Sequence, residues 1–177
     1  MLMQQKDRDR PRVNGKSTLL ILSLIGLLAL LYVVADRFGL GRQVAEGRAR
    51  IIDGDSFFLG AYEVRLVGID APEGLQMCQR NGMDWACGEE AKRVLRRLTA
   101  GHTVRCEGSK QDQHGRLLAR CFVGETNINA AMVEAGFALA FGDYGAEESA
   151  ARDAKRGMWV GTFERPQAWR ERNRGPR

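Results

Sequence analysis

"IIDGDSFFLGAYEVRLVGIDAPEG", residues 51–74, is the stretch on which the reading of the fold turns. "ARIID", "SFFLG" and "YEVRLVGI", which begin just before it and run through it, are short and rich in β-branched and aromatic residues. Glycine-containing turns separate them, the pattern of short strands joined tightly. The same stretch gathers Asp53, Asp55, Asp70 and Glu73 around Arg65, in a chain of 177 residues with a formal net charge of +5. Asp53 and Asp55 stand two apart and share a face if extended. Gly54 lets the backbone turn or bulge between them. An Asp-Gly pair is also turn chemistry, so these two acids alone do not separate a turn from a site.

Downstream, "GEEAKRVLRRLTAG" places Ala91, Val94, Leu95 and Leu98 at helical spacing. Glu89 and Glu90 suit its N-terminus and Gly101 its end. "HTVRCEG" and "RLLARCFVG" read as an antiparallel pair, "NINAAMVEAG" as a second helix and "AEESAARDAKRGMW" as a third. Strands, helix, strands, then helices in one unit, residues 48–162, make an α+β domain with a small barrel. Residues 163–177 hold five arginines against two glutamates and read as a solvated basic tail, with phosphate contact the lesser reading.

Upstream, residues 36–47 form a short glycine-containing tether. Residues 18–35, "TLLILSLIGLLALLYVVA", carry no charge. As a helix they would cover roughly 27 Å, close to the bilayer core of about 30 Å, and are expected to be a transmembrane helix. In the preceding basic tail, residues 1–17, Lys6, Arg8, Arg10, Arg12 and Lys16 outnumber Asp7 and Asp9. That bias keeps an N-terminus in the cytoplasm and exports the remainder of the chain. The run exceeds an ordinary signal h-region and "VVA" is a poor cleavage site, so a retained anchor is expected. The folded part would then lie in the periplasm or extracellular space, or be secreted if the segment is cleaved.

Cys78, Cys87, Cys106 and Cys121 all lie beyond this segment, and none makes a C-x-x-C pair, so zinc is a poor reading. Exported chains can hold disulfides. Of the three connectivities, 78–87 and 106–121 are preferred: the first closes a short loop and the second bridges two strands.

"GIDAPEG" puts Asp70 at a strand end, Pro72 just after it and Glu73 near the same edge. Hard divalent cations take carboxylate and carbonyl oxygens, and an acid outside such a shell can orient or deprotonate a water. Packed acids repel unless a cation neutralises them. Arg65 needs an anionic partner, either a phosphate or, structurally, Asp70 or Glu63. Arg65 and Asp70 are five apart and should face opposite sides, unless a twist, a bulge or the strand end brings them together. "KQDQHGRLLARC" adds Arg116 after a His-Gly turn. Two guanidiniums beside a bound cation would clamp a phosphodiester for metal-assisted hydrolysis.

The order "IDGDS", "VRLVGIDAPE", "DQHGRLLA" resembles the staphylococcal nuclease-like (thermonuclease) family over about residues 48–160. The resemblance implies an OB-type five-stranded β-barrel with about three packed helices. It also implies a Ca²⁺-dependent, sequence-nonspecific nuclease that acts on DNA and RNA and leaves 3′-phosphates. By the same resemblance Asp55 and Asp70 would bind Ca²⁺ by side chain and Ala71 by its carbonyl. Glu73 would be the general base or water-positioning group, Arg65 and Arg116 would hold the scissile phosphate, and His114 and Tyr144 would contact the nucleotide. Phe141 stands at what looks like a tyrosine position of the family, and "GLQMCQRNGMDWACGEE" is an insert expected at the site mouth. The competing reading is a catalytically weak nucleic-acid-binding module on a membrane anchor. No obligate protein partner is indicated.

Overall fold

The structure, a computed structural model, describes residues 15–37 and 43–173; for 15–19 and 35–37 it describes the backbone alone. Residues 1–14 of the basic tail, 38–42 of the tether and 174–177 lie outside the described residues. The chain divides into two compact units, Met1–Gly41 and Arg42–Arg177.

The first unit contains helix α1, Gly15–Arg37. The transmembrane helix expected over 18–35 is not supported: among the described residues no helix is long and apolar enough to cross a membrane. The membrane partner, the anchored topology and the periplasmic or extracellular placement all rested on that helix and fall with it.

The second unit runs β1 Gln43–Gly47, β2 Ala49–Ile51, β3 Ser56–Leu59, β4 Tyr62–Leu66, β5 Ile69–Asp70, β6 Cys78–Arg80 and β7 Met83–Trp85, then α2 Cys87–Thr99. It continues with β8 Val104–Gln111, β9 Leu117–Val123, β10 Thr126–Asn127, α3 Ile128–Glu134, β11 Leu139–Ala140 and α4 Gly145–Asp153, a 3-10 turn at Gly157–Val160, and α5 Pro166–Asn173. The main sheet has seven strands in the order β1-β8-β9-β4-β3-β2, with β10 added on β9. Strands β4 and β9 pair in parallel; the other ladders of this sheet are antiparallel. The architecture is an α+β, OB-like arrangement, but the sheet is larger than the expected five-stranded barrel. One reason is that residues 43–47, read as part of a tether, pair with β8, Val44 opposite Glu107. The expected three packed helices are also joined by α5, from the stretch read as a solvated tail.

Phe57, Leu59, Val64, Leu66, Val104, Leu117 and Ala119 of the sheet share one core with Ala91, Val94 and Leu95 of α2 and Ile128, Met132 and Val133 of α3. The helical spacing of α2 therefore points its apolar stripe at the sheet. Buried Asn129 ties β9 to the end of β4. It accepts from Cys121 N at 3.0 Å and donates to Val67 O at 2.8 Å and Ala119 O at 3.2 Å. Both preferred disulfides are present, 78–87 and 106–121, and no free cysteine remains among the described residues. Cys106 and Cys121 lie directly opposite each other on β8 and β9.

Candidate nucleic-acid interface

The site is built where β3, β4 and the strap before β9 meet. In the β3–β4 hairpin Ser56 pairs with Arg65, so Asp55 falls beside the arginine. Arg65 Nη1 donates to Asp55 Oδ1 at 3.2 Å and Nη2 lies 3.1 Å from Asp55 Oδ2. Nη2 also donates to Asp70 Oδ1 at 3.3 Å. The parity conflict between Arg65 and Asp70 disappears because β4 ends at Leu66. A turn through Gly68, at φ +79°, starts β5 in a new direction. A side chain at Gly68 would run into Asp143 and the Tyr144 ring. Of the structural partners open to Arg65, Asp70 is thus real and Glu63 is replaced by Asp55.

Asp55 is buried, 4% exposed, and takes a further hydrogen bond from Ala71 N at 3.2 Å. Burial pushes its carboxyl up to about 6, against the opposing pull of Arg65 and the Ala71 N–H. Asp53 is also raised by burial, against a hydrogen bond from Gly54 N. Glu73 is placed by the N-terminus of α2: a Cβ on Gly88 would overlap the carbonyls of Glu73 and Gly74, so only glycine permits this approach.

Arg116 is held by its own turn. Asp112 accepts from His114 N at 2.8 Å and Arg116 N at 3.0 Å through Oδ1, and from Arg116 Nε at 2.8 Å through Oδ2. Desolvation works against Asp112, but the Arg116 guanidinium and these backbone N–H groups hold its carboxyl below the usual range. The parallel β4–β9 register, Val64 opposite Leu117, sets Arg116 on the same side as Arg65.

Both arginines open into one cavity of about 570 Å³. Asp53, Asp55, Ser56 and Glu73 line one side, and Asp112, Gln113 and His114 line the other. Asp70 lies behind it, in an adjoining cavity of about 390 Å³ that Phe141 also lines. Ala71 is buried, with its N–H turned to Asp55. Tyr144 does not line the main cavity: it caps α4, with its hydroxyl accepting from Asn127 Nδ2 at 3.4 Å. None of the insert residues 74–90 lines it either.

Sequence reasoning missed Arg170 on α5. Its Nη1 donates to Asp70 Oδ1 at 2.9 Å and to Glu73 Oε1 at 2.8 Å, and it lines the cavity. Desolvation disfavours its charge, but these two carboxylates hold the guanidinium more firmly protonated than usual. Pro166 at the first helical position was the available helix-start signal.

Residues 63–161 match the family model described as staphylococcal nuclease homologue. The chain belongs to that family. It is 32% identical over 121 residues to the succinoglycan biosynthesis protein ExoI of Rhizobium meliloti (strain 1021), covering 64% of this chain and 63% of that protein. An uncharacterized endonuclease of Escherichia coli O157:H7 is also 32% identical over 121 residues, covering 62% of this chain and 73% of that protein. A probable staphylococcal-like nuclease, CAN4, of Oryza sativa subsp. japonica is 34% identical over 120 residues, and the match spans 22% of its length. The chain thus spans less than two thirds of the first of these relatives.

Membership does not carry the calcium site with it. Among the described residues no group of three or more His, Cys, Asp or Glu is arranged to hold a metal ion. The physical reason is that the expected ligands are already compensated. Both Asp55 oxygens face Arg65 or the Ala71 N–H, Asp70 is shared by Arg65 and Arg170, and Glu73 is taken by Arg170. Asp55, Asp70 and Ala71 do not fit as a Ca²⁺ shell. The expected Ca²⁺-dependent, metal-dependent nuclease is therefore corrected.

Proposed function

We propose that the domain is a nucleic-acid-binding module that grips backbone phosphates of DNA or RNA in the cavity between Arg65 and Arg116. The observation that carries this is the convergence of two guanidiniums, one from strand β4 and one from the turn before β9, each braced by a carboxylate, on one open polar cavity. Arg116 commits Nε and Nη2 to Asp112, which leaves its Nη1 donors for a phosphate. His114 sits at the same rim and can face a base. Contacts of this kind position a backbone without reading sequence. The chain's net charge of +5 favours a polyanion.

The test is fluorescence anisotropy of short labelled single-stranded DNA and RNA with the full chain in EDTA. Arg116→Ala should weaken binding at least about tenfold and flatten the salt dependence by about 0.7 for each phosphate it no longer holds. Unchanged affinity and slope in that variant would refute the reading. So would rapid divalent-dependent cleavage of the oligonucleotide by the wild-type chain.

A further inference from the structure

Arg170 enters the cavity from α5, which begins after the family-matched segment ends at residue 161. The helix is seated rather than loose. Gln76 Nε2 donates to Glu164 O at 2.7 Å just before it, and Pro166 at its start is buried. A single nitrogen, Arg170 Nη1, bridges carboxylates from two elements, Asp70 at the end of β5 and Glu73 in the loop beyond. Without it, Asp70 would keep only its contact with Arg65, and Glu73 would face the cavity with no cation among the side-chain contacts described. Like charge at that edge would repel an incoming phosphate.

We propose that Arg170 is a built-in counter-ion: by bridging Asp70 and Glu73 it does for these carboxylates what a divalent cation would do, and it makes the cavity receptive to a phosphate without metal. The guanidinium suits the task because its planar fork can satisfy two acids and still present N–H groups to an anion. It also accounts for the misfit between the acidic motif and a calcium shell, since the neutralising charge is supplied by the chain itself. The binding consequence rests on the phosphate reading above; the consequence for cations does not.

The experiment uses the full chain as wild type, Arg170→Met, which keeps the length of the stem, and Arg170→Lys. Nucleic-acid affinity is read by anisotropy in EDTA and in millimolar Ca²⁺. Ca²⁺ alone is titrated while amide shifts are followed at Asp55 and at residues 70–73. Arg170→Met should lose about tenfold in EDTA and recover part of that loss with Ca²⁺, whereas Arg170→Lys should lose only a few-fold. Wild type should show no Ca²⁺-dependent shifts, and Arg170→Met should acquire them. The proposal is overturned if folded Arg170→Met binds nucleic acid like wild type. It is equally overturned if that variant gains no Ca²⁺ response, or if wild type already has one. If wild type binds no nucleic acid, the phosphate reading falls and the Ca²⁺ titration alone decides this proposal. If Arg170→Met does not fold, Arg170→Gln, polar but uncharged, carries the same comparisons.

Discussion

Asp55 offers the sharpest quantitative test of how this site is balanced. Its carboxyl is buried and pushed from 3.8 to about 6, with desolvation outweighing Arg65 and the Ala71 N–H. At about 1.4 kcal/mol per pKa unit, that rise corresponds to roughly 3 kcal/mol of folding free energy. The sign is set by which state holds the proton more tightly. Below pH 3.8 the acid is protonated folded and unfolded, and the folded state carries no penalty. As the pH climbs through about 6, the folded chain must ionise a buried group that ionises readily when unfolded, and stability is lost. Asp55→Asn removes the titration while its side-chain oxygen can still accept from Ala71 N. Urea unfolding monitored by tryptophan fluorescence from pH about 4 to about 7 should therefore show the variant gaining on wild type by roughly 3 kcal/mol as pH rises. Taking the difference cancels the titration of carboxylates elsewhere in the chain. Parallel curves, or a variant that loses ground with rising pH, would mean that the Arg65 pair outweighs burial, and the account of Asp55 would be wrong.

Three other perturbations probe the frame that holds the site. Replacing Cys106 and Cys121 together with alanine opens a link with a sequence separation of 15, and urea unfolding should register a loss of about 3 kcal/mol. Asn129→Ala strips partners from Cys121 N, Val67 O and Ala119 O in a fully buried spot; a loss of about 2–4 kcal/mol is expected from the same assay, and a loss within about 0.5 kcal/mol would contradict the pinning role. Gly88→Ala drives a methyl into the carbonyls of Glu73 and Gly74 and should cost about 1–3 kcal/mol, with amide shift changes concentrated at residues 73–76 and the start of α2.

Much of the frame was legible because local pattern and tertiary demand agree. The apolar stripe of α2 is also its buried face, and β3 and β4 read as a hairpin because a short turn fixes their register. The disulfide choice came from spacing on either side of a turn, which the β8–β9 register satisfies. Strand β1 was read as tether because "QVAEG" offers little apolar signal; it is a strand through its ladder with β8, some sixty residues away. Helix α5 escaped for a related reason. "PQAWRERN" has no strong apolar stripe, and it is seated by a side-chain bond from Gln76 and the ion pairs of Arg170, contacts that no window of sequence displays. The motif places Tyr144 near the substrate; a left-handed backbone at φ +64° sets it at the N-cap of α4, outside the lining of the main cavity, which no local pattern displays.

The acid cluster shows most clearly what a motif leaves out. "IDGDS" and "GIDAPEG" state where carboxylates stand, and carboxylates at those positions admit two kinds of neutralisation, by a cation from solution or by cations of the chain. Choosing between them requires knowing where guanidiniums end up. Arg65 stands ten residues from Asp55 in sequence, and Arg170 a hundred from Asp70. Here two guanidiniums meet the three carboxylates of Asp55, Asp70 and Glu73, and burial lets Asp55 take a proton near mildly acidic pH. The chain's own arginines thus offset much of the charge of these three acids and weaken the electrostatic drive for a metal, although Asp53 adds a fourth carboxylate to the same cavity wall. The same balance makes Arg116 the distinctive group of the cavity. Its partner Asp112 is occupied largely in shaping the turn, through the backbone N–H groups of His114 and Arg116. A phosphate that enters therefore competes with one carboxylate for Arg116, whereas at Arg65 it must compete with two.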